Sequence, residues 1–176
     1  MPETDPFTKV YEALWELASS FEPFTNLVTL RNRISFAEEG NRTPVKNLVS
    51  TGDLPEVILA PTGGIANLHA ATNYSRIAKT YDWLISTGDL RIKEGGLFPI
   101  EFALMRAMCN WKTPLSALTW NGNTFVKRCD LTDVSEGQSD TERNRGIKGW
   151  SALWSCEVEM YFNTSDLQDE GSYSGD

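Results

Sequence analysis

A single histidine and three cysteines are all the imidazole and thiol side chains that this 176-residue chain offers to catalysis or metal binding. His69 has no acid or thiol at motif spacing, so it reads as a surface histidine in preference to a general base. Cys109, Cys129 and Cys156 are odd in number and far apart in segments that read as helix or strand, which argues against a disulfide framework or a zinc knuckle. Reduced, buried thiols are the expectation. There is no GxSxG, P-loop, HExxH or CxxC. No cofactor or metal is expected, and no catalysed reaction. No apolar run reaches the ~18 residues of a membrane span, and MPETDPF at the start carries neither the basic nor the apolar region of a signal peptide. The expectation is a soluble protein made in a cytosol, with no membrane partner. Basic residues are few, 16 against 24 acids, for a formal charge of −8. Such a chain would not hold DNA by its general field, because that affinity rests on neutralising phosphates.

What is present begins with the stretch GIKGWSALWSCEVEMYF, residues 146 to 162. Trp150, Ala152, Trp154, Cys156, Val158, Met160 and Phe162 fall on every even position. Alternation of this length predicts one long strand with a dry face, and the polar or charged Ser151, Ser155, Glu157 and Glu159 point the other way. Burying the dry face contributes at most on the order of 10 kcal/mol before ordering entropy is counted. Glu157 and Glu159 share the wetter face, where a pair of solvated carboxylates is a simpler reading than a metal site.

Asp5-Pro6 is a helix start, and Phe7, Val10, Tyr11, Leu14, Leu17, Ala18 and Phe21 then recur on one helical face that ends near Pro23. A short strand is predicted within residues 32 to 36, and Glu38 to Thr43 reads as a loop. Leu54 to Pro61 is an edge strand or the first strand after a turn. Thr62 to Ser75, with paired glycines and little periodicity, reads as a long loop. Ile77 to Thr87 alternates as a strand. Leu97 to Trp111 forms a helix whose core face holds Leu97, Ile100, Ala103, Leu104, Ala107, Met108 and Trp111. Phe98, Phe102, Met105 and Cys109 give it a second apolar side, which needs cover from elsewhere. Phe125 to Val134 reads as a strand, and Ser135 to Arg145 as a charged loop leading into the closing strand. The fold class expected is α+β: an antiparallel sheet with an N-terminal and a central helix packed on it, one domain over residues 1–163. Residues 164–176 read as an acidic, flexible tail.

Two matching triplets, Arg31-Asn32-Arg33 and Arg143-Asn144-Arg145, place guanidinium forks where acidic neighbours could be met. Six tryptophans and eight phenylalanines exceed the evident needs of one small core, and aromatic anchors concentrate in protein interfaces. Arg31, Arg33, Arg143 and Arg145 are therefore candidate contacts to partners, and Phe98, Phe102 and Met105 candidate interface residues.

The order of pieces is an amphipathic helix, RIS, LPEVIL, YDWLIS, the helix LFPIEFALMRAM, FVKRCDLTDV, a charged loop and GWSALWSCEVEMYF. This order resembles the tail terminator, or tail-completion, proteins of long-tailed bacteriophages over roughly Asp5 to Phe162. The loops around Gly40 and Gly64 are longer than that family's compact pattern, and the tail after Phe162 is extra. The resemblance implies a homohexameric ring in the virion neck that caps the tail tube, ends its polymerisation and joins it to a head-completion or connector protein. DNA would pass through without specific binding, repelled by acidic walls. Other readings are a different neck component, a small acidic binding protein acting on a host factor, or an enzyme built on His69.

Overall fold

The computed structural model describes residues 4–28, 33–35, 55–71, 73–88, 96–138 and 149–167, and of 33–35, 69–71 and 138 the backbone alone. Helix α1, Pro6–Ser19, starts where Asp5 caps it: its Oδ1 accepts from the backbone N–H of Phe7 and of Thr8, both at 3.0 Å, and its Oδ2 from Thr8 Oγ1 at 2.6 Å. Pro6 supplies a preset φ at the first position, where its missing donor costs nothing. Val10, Tyr11, Ala13, Leu14, Leu17 and Ala18 are buried. Phe7, expected in the core, is instead 37% exposed, with the Lys79 ammonium 4.3 Å from its ring centroid. A short helix α2, Glu22–Thr25, then turns the chain and buries Phe24.

Five strands form the main sheet: β1 (Arg33–Ser35), β2 (Glu56–Ala71), β3 (Tyr74–Thr87), β6 (Val126–Gln138) and β7 (Trp150–Asn163), in the spatial order β1-β2-β3-β7-β6. Only β1 runs parallel to its neighbour; the other four are antiparallel, so the fold is α+β as expected. Helix α3, Leu97–Met108, and the short α4, Lys112–Ser116, lie between β3 and a small hairpin, β4 (Thr119–Trp120) and β5 (Asn123–Thr124). Asn121 and Gly122, at φ 47° and 76°, make that hairpin's turn, a conformation those two residue types adopt at least cost.

Four expectations are corrected. Residues 62 to 71 are not a long loop but the continuation of β2, which pairs with β3 back to Ala71 opposite Tyr74. Register shifts between Pro61 and Gly63 and between Asn67 and Ala71 erase the alternation that would have marked it. Gly64 sits so close to β3 that a Cβ there would lie 2.5 Å from the Ala78 carbonyl oxygen. The charged loop before β7 also begins later than expected, because Ser135 to Gln138 belong to β6. Helix α3 ends at Met108, short of Trp111. The start of the supposed flexible tail is a helical turn, α5 (Thr164–Leu167), whose first N–H donates to the Asn73 carbonyl at 3.0 Å.

One face of the sheet carries the core. Val57 and Leu59, Tyr81, Trp83 and Ile85, and Ala152, Cys156, Val158, Met160 and Phe162 bury under α1 and α3. Trp83, wholly buried, stacks on Trp15 with centroids 6.2 Å apart and planes 12° apart. Tyr11 donates its hydroxyl to the Leu59 carbonyl at 3.1 Å, so α1 is both packed and hydrogen-bonded onto β2.

Trp83→Ala should lower unfolding stability by about 3–5 kcal/mol in urea titrations. Trp83→Phe should cost less than half as much, because the Trp83 Nε1–H is buried without an acceptor among the described residues and its removal offsets part of the lost packing. Asp5→Ala should cost about 1 kcal/mol at neutral pH. Hydrogen bonds from Thr8 hold the Asp5 carboxyl below its ordinary value of 3.8. The cap is therefore at full strength above pH 3.8 and is lost as pH falls through the lower folded-state value, where wild type and Asp5→Ala should converge.

Candidate assembly surface

Helix α3 has two apolar sides, and the sheet covers one. Leu97, Ile100, Glu101, Ala103, Leu104, Ala107 and Met108 face inward. Phe98 and Phe102 remain 46% and 58% exposed although they sit on a rigid, well-packed helix. Met105 is half-buried beside them. The three therefore share one flank, as expected from the sequence. Arg106, one turn beyond Phe102, lays its guanidinium 5.9 Å from the Phe102 centroid and 5.4 Å from that of Phe21. Exposed aromatic side chains, methionine and arginine are the residue types enriched in protein-protein interfaces.

At about 100° per residue, Glu101, Met105, Phe98 and Phe102 follow one another around the helix. Glu101 thus marks the border between the buried side and the open flank. Its carboxylate accepts a 2.7 Å hydrogen bond from Trp154 Nε1 of β7, which anchors α3 to the sheet. Opposite Trp154 on β6 stands Val134, itself 43% exposed. Strand β6 is terminal in the sheet order, and among the described residues no strand pairs with its outer side. The open flank of α3, Trp154, Val134 and the β6 edge are consecutive parts of one side of the molecule. Backbone donors and acceptors on such an edge are a ready surface for another chain.

Burial pushes the Glu101 carboxyl above its ordinary range, against the opposing effect of the Trp154 bond; Glu136 of β6 adds to the rise. On the other sheet face, Glu159 is occupied: Arg76 Nε donates to it at 2.8 Å and Tyr161 hydroxyl at 2.7 Å, and those bonds hold its carboxyl below the usual range. Glu157 and Glu159 do share a face of β7, but Glu159 is committed to an ion pair. No group of three or more His, Cys, Asp or Glu gathers as a metal site would among the described residues. A cleft of about 230 Å³ lies between Tyr74, Trp120, Phe125 and Tyr161 at the far end of the sheet. That is below the ~300–1,000 Å³ of ordinary small-molecule sites.

The arginine triplets are not brought together by anything described. Arg33 lies in β1, whose backbone alone is described, and Arg31, Arg143 and Arg145 lie outside the described residues. His69 lies in β2, in a strand and not in a loop. Arg106, Glu101, Trp154 and Val134 were not singled out from the sequence. Arg106 had a signal, its position four residues after Phe102; the others depend on strand pairing. No protein-family model matches the chain, and no curated protein matches it. No helix among the described residues is long and apolar enough to cross a membrane.

Glu101→Gln keeps the acceptor for Trp154 and removes a buried charge. Because the folded state binds this proton more tightly than the unfolded chain, the contribution of Glu101 to wild-type stability should be greatest below pH 4.5 and fall as pH rises through the folded-state value. Glu101→Gln should accordingly melt higher than wild type at pH 7, with the gain vanishing well below pH 4.5. Melting curves across that range check it.

Proposed function

We propose that this chain is a structural protein of a long-tailed bacteriophage that assembles as a homohexameric ring on the end of the tail tube. The observation that carries this reading is the stripe of Phe98, Phe102 and Arg106 on α3, an anchor set exposed on a helix whose other side is firmly packed. A monomer gains nothing from holding two phenylalanines in water; a subunit that closes against a neighbour does. The order of elements supports the tail-terminator reading, since helix, short strand, two long strands, helix and two long strands follow one another as in the resemblance. Ring closure would cover the flank of α3 against an adjacent subunit. The exposed ends of the ring would meet the tail tube protein on one side and a head-completion or connector protein on the other. The ring's role is steric and adhesive: it ends tube growth and presents a docking surface. With a formal charge of −8 per subunit, its channel would repel passing DNA phosphates and leave the genome unbound.

Light scattering over a range of concentrations should find a species six times the chain mass. Added to polymerising tail tube protein, it should cap the tubes and shorten them in electron micrographs. A Phe98→Asp, Phe102→Asp double variant should keep the wild-type far-ultraviolet spectrum and lose both the ring and the capping. A protein that stays monomeric in the presence of tubes and leaves their length unchanged would refute the reading.

A further inference from the structure

Two cysteines separated by 27 positions in sequence meet inside the core. Cys129 of β6 and Cys156 of β7 bring their sulfurs to 3.2 Å, and both side chains are buried. Neither is directly opposite the other: Cys129 pairs with Val158, and Leu131 with Cys156, so the two thiols are diagonal neighbours on the core face. Diagonal positions in an antiparallel pair lie wider apart than disulfide geometry prefers, and a covalent bond requires the sulfurs to close by about 1 Å, to ~2.05 Å. The surroundings permit that movement. Register shifts between Val126 and Arg128 and between Leu131 and Asp133 bracket Cys129, and β6 is held by a neighbour on one side only among the described residues. A strand with slack on both sides of the residue and an unpaired outer edge can slide where a central strand cannot.

We propose that Cys129 and Cys156 are a modification site: a dithiol that a low-molecular-weight disulfide converts to an intrachain disulfide, clamping the edge strand β6 to β7. Cys129, on the edge strand, is the sulfur that becomes accessible when β6 opens. Its thiolate attacks one sulfur of the small disulfide, forming a mixed disulfide and expelling one small thiolate. Cys156 then attacks the Cys129 sulfur, the Sγ–Sγ bond forms, and the second small thiolate leaves. The two protein thiols are oxidised, the small disulfide is reduced to two thiols, and these take up the two protons. Contact with Cys129 and burial keep the Cys156 thiol protonated in the closed fold, so the reaction waits on local opening and is slow when β6 is shut. A bond closed across a diagonal pair carries strain, which makes it easier to reduce than a structural disulfide. The pair is therefore reversible, and it differs from the exposed Cys109, which has the solvent access to form mixed adducts but no second cysteine beside it among the described residues. One consequence rests on the function proposed above: a subunit assembled as a dithiol in a reducing cytoplasm would be clamped after the particle leaves the cell.

The test uses the full chain carrying Cys109→Ser, incubated with oxidised glutathione and digested without reductant. A cross-linked peptide pair containing Cys129 and Cys156 is expected, with a fall of about 2 Da in intact mass and no thiol titratable in denaturant. Dithiothreitol should restore both thiols. The oxidised protein should melt roughly 5–10 °C above the reduced form, since the clamp restricts the unfolded chain. Cys156→Ser should stop at a glutathione adduct on Cys129 and show no such rise. Two free thiols after prolonged incubation in mild denaturant, where β6 opens, would overturn the proposal. So would glutathione adducts on both cysteines without a cross-link. Neither readout depends on ring formation, so failure here leaves the proposed function standing and success does not establish it.

Discussion

Strands β3 and β7 pair without a break along their whole 14-residue length, from Tyr74 opposite Asn163 to Thr87 opposite Trp150. The rest of the structure depends on that register. Because side chains alternate with period two, an uninterrupted pairing keeps Tyr81, Trp83 and Ile85 on the same face as Cys156, Trp154 and Ala152. A slip of one residue would turn either set toward water. This shared face gives α1 and α3 their floor, α1 through the Trp15 to Trp83 stack and α3 through Glu101 and Trp154. The flanking strands tolerate irregularity because the central pair does not: β2 and β6 each carry two register shifts, and both lean on this pair.

The same division of labour organises the candidate surface. A rigid centre presents α3 in a defined orientation, so Phe98 and Phe102 are exposed on a helix that cannot turn them inward without giving up Leu97, Ile100 and Leu104. Interfaces gain affinity when anchors are held in place before the partner arrives. The cysteine pair belongs to the same arrangement, since it joins the regular strand β7 to the irregular edge strand β6. Clamping it would stiffen the side of the sheet that adjoins the exposed flank of α3.

Much of the fold was legible in particular residues. Asp5-Pro6 followed by an apolar face specifies α1, and the seven even-numbered apolar positions from Trp150 specify β7. The second apolar side of α3 was equally plain, and Phe98 and Phe102 are indeed on the surface. Strand β2 was not legible beyond Pro61. Its proline, its adjacent glycines and two bulges imitate a loop, and the reason for Gly64 is the carbonyl of Ala78 on another strand. The turn of the β4–β5 hairpin carried a clear local signal in Asn121-Gly122 that the surrounding pattern concealed.

Local chemistry, then, was enough to specify α1, α3, β3 and β7 and which of their faces are apolar, because capping and side-chain periodicity act over a few residues. Pairing partners, register and exposure were decided by the tertiary structure. The meeting of Cys129 with Cys156, the bond from Trp154 to Glu101 and the place of β6 at the edge all join residues distant in the chain. No short-range preference encodes such contacts; they exist only once the strands have chosen their neighbours and the helices have covered one face of the sheet.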